Sequence, residues 1–141
     1  MNSQVQDLIA MDFGSRWGYI NEKGETAIHP QFQQARPFHE GLAAVSLSDK
    51  WGYIDRQGEF SINLLYDECG DFSEGLAPVK WYGRWGYIDK TGSFAIHPRF
   101  QTASNFVGGW AEVRLGARVG RISRDGELQM DPTGSGRRIE S

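Results

Sequence analysis

The chain has one cysteine, Cys69, in 141 residues, so no internal disulfide can form. It has three histidines, and none stands at zinc-ligand spacing from a cysteine or another histidine. No apolar run approaches the roughly 20 residues needed to cross a bilayer as a helix. The opening Met1-Asn2-Ser3-Gln4-Val5-Gln6 lacks the basic and apolar stretches of a signal peptide. These absences predict a soluble, cytoplasmic protein that does not engage membranes. There is no Gly-x-Ser-x-Gly elbow and no phosphate loop. No pair of carboxylates has a placement that spacing alone can establish. We therefore expect no enzyme, no catalytic residue, no cofactor and no metal. An excess of positive charge is also missing. Residues 1–80 carry 6 basic and 12 acidic groups, and residues 81–141 carry 9 and 6, for a total of −3. The acidic first half argues against nucleic acid bound along the whole length. The asymmetry also suits head-to-tail pairing of chains.

Glycine is abundant, at 18 residues, and much of it is periodic. Trp17-Gly18, Trp51-Gly52 and Trp85-Gly86 fall 34 residues apart, each followed by Tyr-Ile. Val119-Gly120-Arg121-Ile122 is a worn fourth copy on the same step. Gly24, Gly58, Gly92 and Gly126 keep the interval, as do Phe38, Phe72 and Phe106. Such a period marks a repeat architecture, in which each unit is too small to bury its own apolar face and relies on its neighbours.

One unit reads as three short strands. In the third copy, Leu76-Ala77-Pro78-Val79-Lys80 is strand C, Trp85-Gly86-Tyr87-Ile88-Asp89 is strand A, and Ser93-Phe94-Ala95-Ile96 is strand B. Gly92 and its equivalents stand where a short hairpin loop needs positive φ. Pro30, Pro98 and Pro132 are expected to close strand B, because proline cannot donate a ladder hydrogen bond. Two aromatics recur in each link between units and should pin it to the core. The glycine after each tryptophan leaves room for a close approach by neighbouring atoms. In strand A, Trp51 and Tyr53 share one face, with Gly52 and Ile54 on the other. Both faces are apolar, so each meander should be covered by its neighbours. The predicted fold is all-β: four three-stranded antiparallel meanders over about 8–30, 42–64, 76–98 and 110–132. We expect an open array rather than a closed ring, one domain over 1–132, and a flexible tail over 133–141.

The pattern Trp-Gly-Tyr-Ile-Asp, a glycine, Ile-x-Pro-x-Phe and Phe-x-Glu-Gly-Leu-Ala-x-Val resembles the WG repeat, also called the KWG repeat, over about residues 8–132. Lys50-Trp51 keeps the leading lysine, and Arg16 and Arg84 replace it elsewhere. The resemblance implies a bacterial, β-rich, non-enzymatic protein whose role is interaction. The last unit departs from the pattern, with Trp110 for leucine, Gly108 for glutamate, Val119 for tryptophan and Arg121 for tyrosine. Drift of this kind suits a terminal unit with one face toward water.

Two stretches break the repeat in ways that folding does not demand. In the second link, before the third meander, Asp67, Glu68 and Asp71 replace Gln33, Gln34 and Pro37 of the previous copy. They read as a solvated link or as an acidic dock for a partner with a basic surface; the spacing does not match an EF-hand loop. In the turn Trp81-Tyr82-Gly83-Arg84, Trp81 follows the apolar Leu47 and Leu115 and reads as core. Tyr82 replaces Ser48 and Gly116 and reads as exposed; beside Arg84 it makes an interface anchor. Trp110 is a further candidate contact. His29 and His97 share a position that also accepts Asn63 and Asp131, as an exposed strand end would. Cys69 falls where other links have Ala35 and Ala103, which predicts a tight, buried, structural thiol. The preferred function is a protein-binding module, either an adaptor or an inhibitor such as an immunity protein. Glycan or cell-wall binding through Tyr82 and Trp110 is the alternative.

Overall fold

The computed structural model describes residues 7–131. Among these there are strands and turns but no helix. The strands form four antiparallel sheets, one per repeat. The first sheet is β1 (Ile9–Asp12), β2 (Trp17–Ile20) and β3 (Thr26–Phe32), in that order. The second is β4 (Gln34–His39), β5 (Leu42–Leu47), β6 (Lys50–Ile54) and β7 (Phe60–Tyr66). The third is β8 (Glu68–Cys69), β9 (Ala77–Trp81), β10 (Arg84–Ile88) and β11 (Phe94–Phe100). The fourth is β12 (Thr102–Ala103), β13 (Trp110–Leu115), β14 (Arg118–Ser123) and β15 (Leu128–Met130). Each is an open meander, and none closes into a barrel. The all-β repeat fold is therefore as expected, with one correction to the strand count. Three of the four sheets have a fourth strand, because the links β4, β8 and β12 pair with the strand that follows them. The tail expected over 133–141 lies outside the described residues.

Turn chemistry explains the meander. Ser48 and Asp49 (φ 51° and 64°) make a two-residue turn with both central residues left-handed, which matches the twist of a hairpin, and Tyr82 and Gly83 (φ 49° and 83°) do the same. The strand A to strand B turns are built on an acceptor side chain. Asp89 Oδ1 accepts bonds from the Thr91 and Ser93 N–H groups, and Asn21 and Asp55 repeat the arrangement at their own turns. These bonds, that from the Thr91 hydroxyl foremost, hold the Asp89 carboxyl below its ordinary pKa.

Strand B does not stop at its proline. Trp17 pairs with Phe32 and Tyr19 with Ile28, so His29-Pro30-Gln31 bulge opposite the single residue Gly18. The third sheet does the same with His97-Pro98-Arg99 opposite Gly86. Proline is tolerated because a bulge residue makes no ladder bond. The expected closure at Pro30 and Pro98 is thus replaced by a bulge, with the strand running on to Phe32 and Phe100; Pro132 lies outside the described residues. The close approach expected at the glycines is real. A Cβ on Gly18, Gly52 or Gly86 would lie 2.6 Å from the carbonyl oxygen of Ile28, Ile62 or Ile96.

The chain divides into two compact units, Met1–Leu65 and Tyr66–Ser141. In the first, Tyr19, Ile28 and Phe32 of the first sheet pack with Ala43, Val45 and Ile54 of the second. In the second, Tyr87, Ile96 and Phe100 of the third sheet pack with Ala111, Val113 and Ile122 of the fourth. The joint is the same in both: the Trp-Tyr face of one sheet receives the Ala-Val-Ile face of the next. A tyrosine fastens it. The Tyr19 hydroxyl donates to the Arg36 carbonyl and the Tyr87 hydroxyl to the Ser104 carbonyl, each at 2.7 Å. The same rings meet Phe38 and Phe106 edge-on, with centroids 5.0 and 4.9 Å apart. Burial pushes both tyrosine hydroxyls well above their ordinary pKa.

Candidate interaction site

The repeat residues themselves are structural. Trp51 is buried, Trp17 and Trp85 are half-buried, and Gly18, Gly52 and Gly86 are buried. An exposed aromatic surface lies on the third sheet. Tyr82 is 83% exposed at the tip of the β9–β10 turn. Its ring meets Trp81 edge-on with centroids 4.7 Å apart, and Trp81 reaches Phe94 at 5.5 Å. His97 lies 6.1 Å beyond Phe94. The exposed Arg84 pairs with Trp81 across the turn.

Trp81 was expected in the core and is instead 38% exposed. The reason is its place at the last rung of β9, where the sheet ends and the next residues turn away. Phe94 carried no signal when taken alone. Phe94 is half-buried and its equivalent Phe60 is exposed, and that recurrence of an aromatic just after the turn was the clue available in sequence. Tyr82 is exposed, as expected, and its backbone is left-handed. An L-residue other than glycine pays about 1–2 kcal/mol for that conformation, and the fold gains little from a ring facing water.

The acidic link forms an ordered edge. The Asp67 N–H donates to the Lys80 carbonyl, and Glu68 pairs with the Lys80 ammonium at 3.7 Å. Both acids are exposed, whereas Asp71 is half-buried, with its N–H donating to Asn105 Oδ1 at 3.2 Å. Asp71 is therefore less open to a partner than the other two. Between them the Cys69 thiol is buried as expected, and His29 and His97 are exposed. Burial and then Cys69 raise the pKa of the neighbouring Tyr66.

Trp110 is only half-buried, and its ring is covered: the Arg121 guanidinium lies 3.9 Å from its centroid and donates to Gln129 Oε1. Together with Val119, Met130 and Asp131 these residues line a hollow of about 420 Å³. Among the described residues no three His, Cys, Asp or Glu side chains are gathered to hold a metal ion.

Stacked meanders joined by a repeated Trp-Tyr face define an all-β repeat protein. The WG-containing-repeat family model matches residues 17–51, 51–81 and 85–118, more than half of the chain, and the chain belongs to that family. No curated protein is similar enough to count as a relative. A crystal structure of a protein of unknown function from Bacteroides caccae resembles it at 18% identity with a TM-score of 0.45, covering 89% of this chain and 57% of that one.

Proposed function

We propose that the protein works by binding another protein, with the Trp81-Tyr82-Phe94 surface and the flanking Arg84 as its contact. The observation that carries this reading is Tyr82, 83% exposed on a left-handed turn and packed against an exposed tryptophan. Aromatics and arginine are the residues that dominate protein interfaces. Asp67 and Glu68 add an acidic edge suited to a partner with a basic rim. An adaptor, or an inhibitor that covers a partner's active site as a toxin-neutralising immunity protein does, needs only such a rigid surface and no chemistry of its own.

Glycan binding has one observation in its favour, the exposed Trp81 and Tyr82. Against it, the two rings meet edge-on and do not form a flat platform, and the face of Trp110 is occupied by Arg121.

Affinity capture with the wild-type chain, with Tyr82→Ala and with Trp81→Ser tests the proposal. A partner held by the wild type should be lost from both variants, at a cost of about 2 kcal/mol or more per anchor, while their circular dichroism is unchanged. Equal capture by all three would remove this surface. Tryptophan fluorescence that responds to cell-wall fragments, and loses the response in Trp81→Ser, would favour the glycan reading instead.

A further inference from the structure

The joint made within each unit leaves one of its halves unfilled on the first sheet and the other on the fourth. In the second and fourth sheets the Ala-Val-Ile positions are buried under the preceding sheet: Ala43, Val45 and Ile54 are 0% exposed, and Ala111, Val113 and Ile122 are 0–2% exposed. The first sheet carries Ile9, Met11 and Ile20 at those same positions, one repeat earlier. There Ile9 is 51% and Met11 42% exposed, and Phe13 beside them is 42% exposed. On the fourth sheet, Trp110, Val119 and Arg121 hold the positions of Leu8, Trp17 and Tyr19, whereas Met130, in the absence of the bulge, pairs with Gly120 and lies on the other face. On the first sheet that face receives the second sheet, with Gly58 of the second sheet's turn against Ile28. On the fourth it surrounds the 420 Å³ hollow.

We propose that two copies of this chain join head to tail, the Ile9-Met11-Ile20 face of one seating on the Trp110-Val119-Arg121 face of the other. The occupant follows from continuity with a joint that the chain already makes twice. Arg121 lies over the Trp110 ring, and the two would form a floor under the incoming apolar side chains. The joint is heterologous, so association continues beyond the dimer unless one face is blocked.

Sedimentation velocity over a wide range of concentration tests this. The wild-type mass should rise with concentration, and Met11→Lys and Arg121→Glu should each weaken association about tenfold or more. Both side chains are exposed, so the fold should survive, as far-UV circular dichroism will verify; Ile9→Glu is a second lesion of the first face. An equimolar mixture of Met11→Lys and Arg121→Glu has one good face on each chain. It should form a one-to-one complex and nothing larger. Trp81→Ser, which touches neither face, should associate like the wild type, so this proposal and the partner-binding surface fail separately. A wild type that stays monomeric throughout, an Arg121→Glu variant that associates as well as the wild type, or a mixture that stays monomeric would each overturn the proposal.

Discussion

Asp89 shows how much one side chain sets. Its carboxylate gathers the N–H groups of a three-residue turn and the Thr91 hydroxyl, and Asn21 does the same work with a neutral oxygen one strand-turn-strand unit from the start. Because the folded pKa of Asp89 lies below the usual value of about 4, the ionised form stabilises the fold above that pH, and the contribution is lost as pH falls through the folded value. Asp89→Asn keeps the acceptor but cannot titrate. Urea unfolding should therefore find the wild type more stable near neutrality, with the difference shrinking below about pH 4. A difference that stays constant down to low pH would show that the turn does not depend on the charge. The effect should be small, because the turn is open to water.

The strand A to strand B hairpin, at the scale of the element, is governed by what crosses the glycine. In the first and third sheets three residues of strand B bulge over one glycine of strand A, and the carbonyl of the isoleucine before the bulge fills the space where a Cβ would stand. Gly86→Ala places a methyl 2.6 Å from the Ile96 oxygen and 2.7 Å from the Pro98 nitrogen, and neither backbone atom can yield without moving the bulge. It should cost about 3 kcal/mol in denaturant unfolding. Gly83→Ala meets no atom within 4 Å and pays only for its positive φ, about 1–2 kcal/mol. Equal costs for the two would mean that crowding at Gly86 is relieved more easily than the geometry allows. The last unit lacks the bulge: Gly120, Arg121 and Ile122 pair one for one with Met130, Gln129 and Leu128. With arginine in place of tyrosine, it has no ring hydroxyl with which to fasten a following link.

Stability in the whole molecule is concentrated at the joints between sheets. Phe100 is fully buried where the third sheet meets the fourth, while Val107 on the link between them is 76% exposed. Phe100→Ala should cost about 3–5 kcal/mol, a large part of a typical domain's 5–15 kcal/mol, and Val107→Ser about 0.5 kcal/mol or less. Thermal melts of both variants check this, and comparable melting points would place the core elsewhere. The same division explains the candidate surfaces. Residues at the joints are committed to folding, so only the turn tips, the outward rungs and the unfilled faces remain for partners.

Much of this was legible in the chain. The 34-residue step located four meanders, and period-two alternation divided Trp51 and Tyr53 from Gly52 and Ile54. The glycines announced the turns, and the alanines aligned with Cys69 announced a buried thiol. These are properties of the local backbone and of repetition, and sequence carries both. It did not show that the links become strands, that Pro30 and Pro98 sit inside bulges, or that Trp81 faces out while Arg121 closes over Trp110. Each of those depends on which strand passes beside which. That is a matter of pairing across space, decided only when the sheets pack and leave some rungs covered and others open to water.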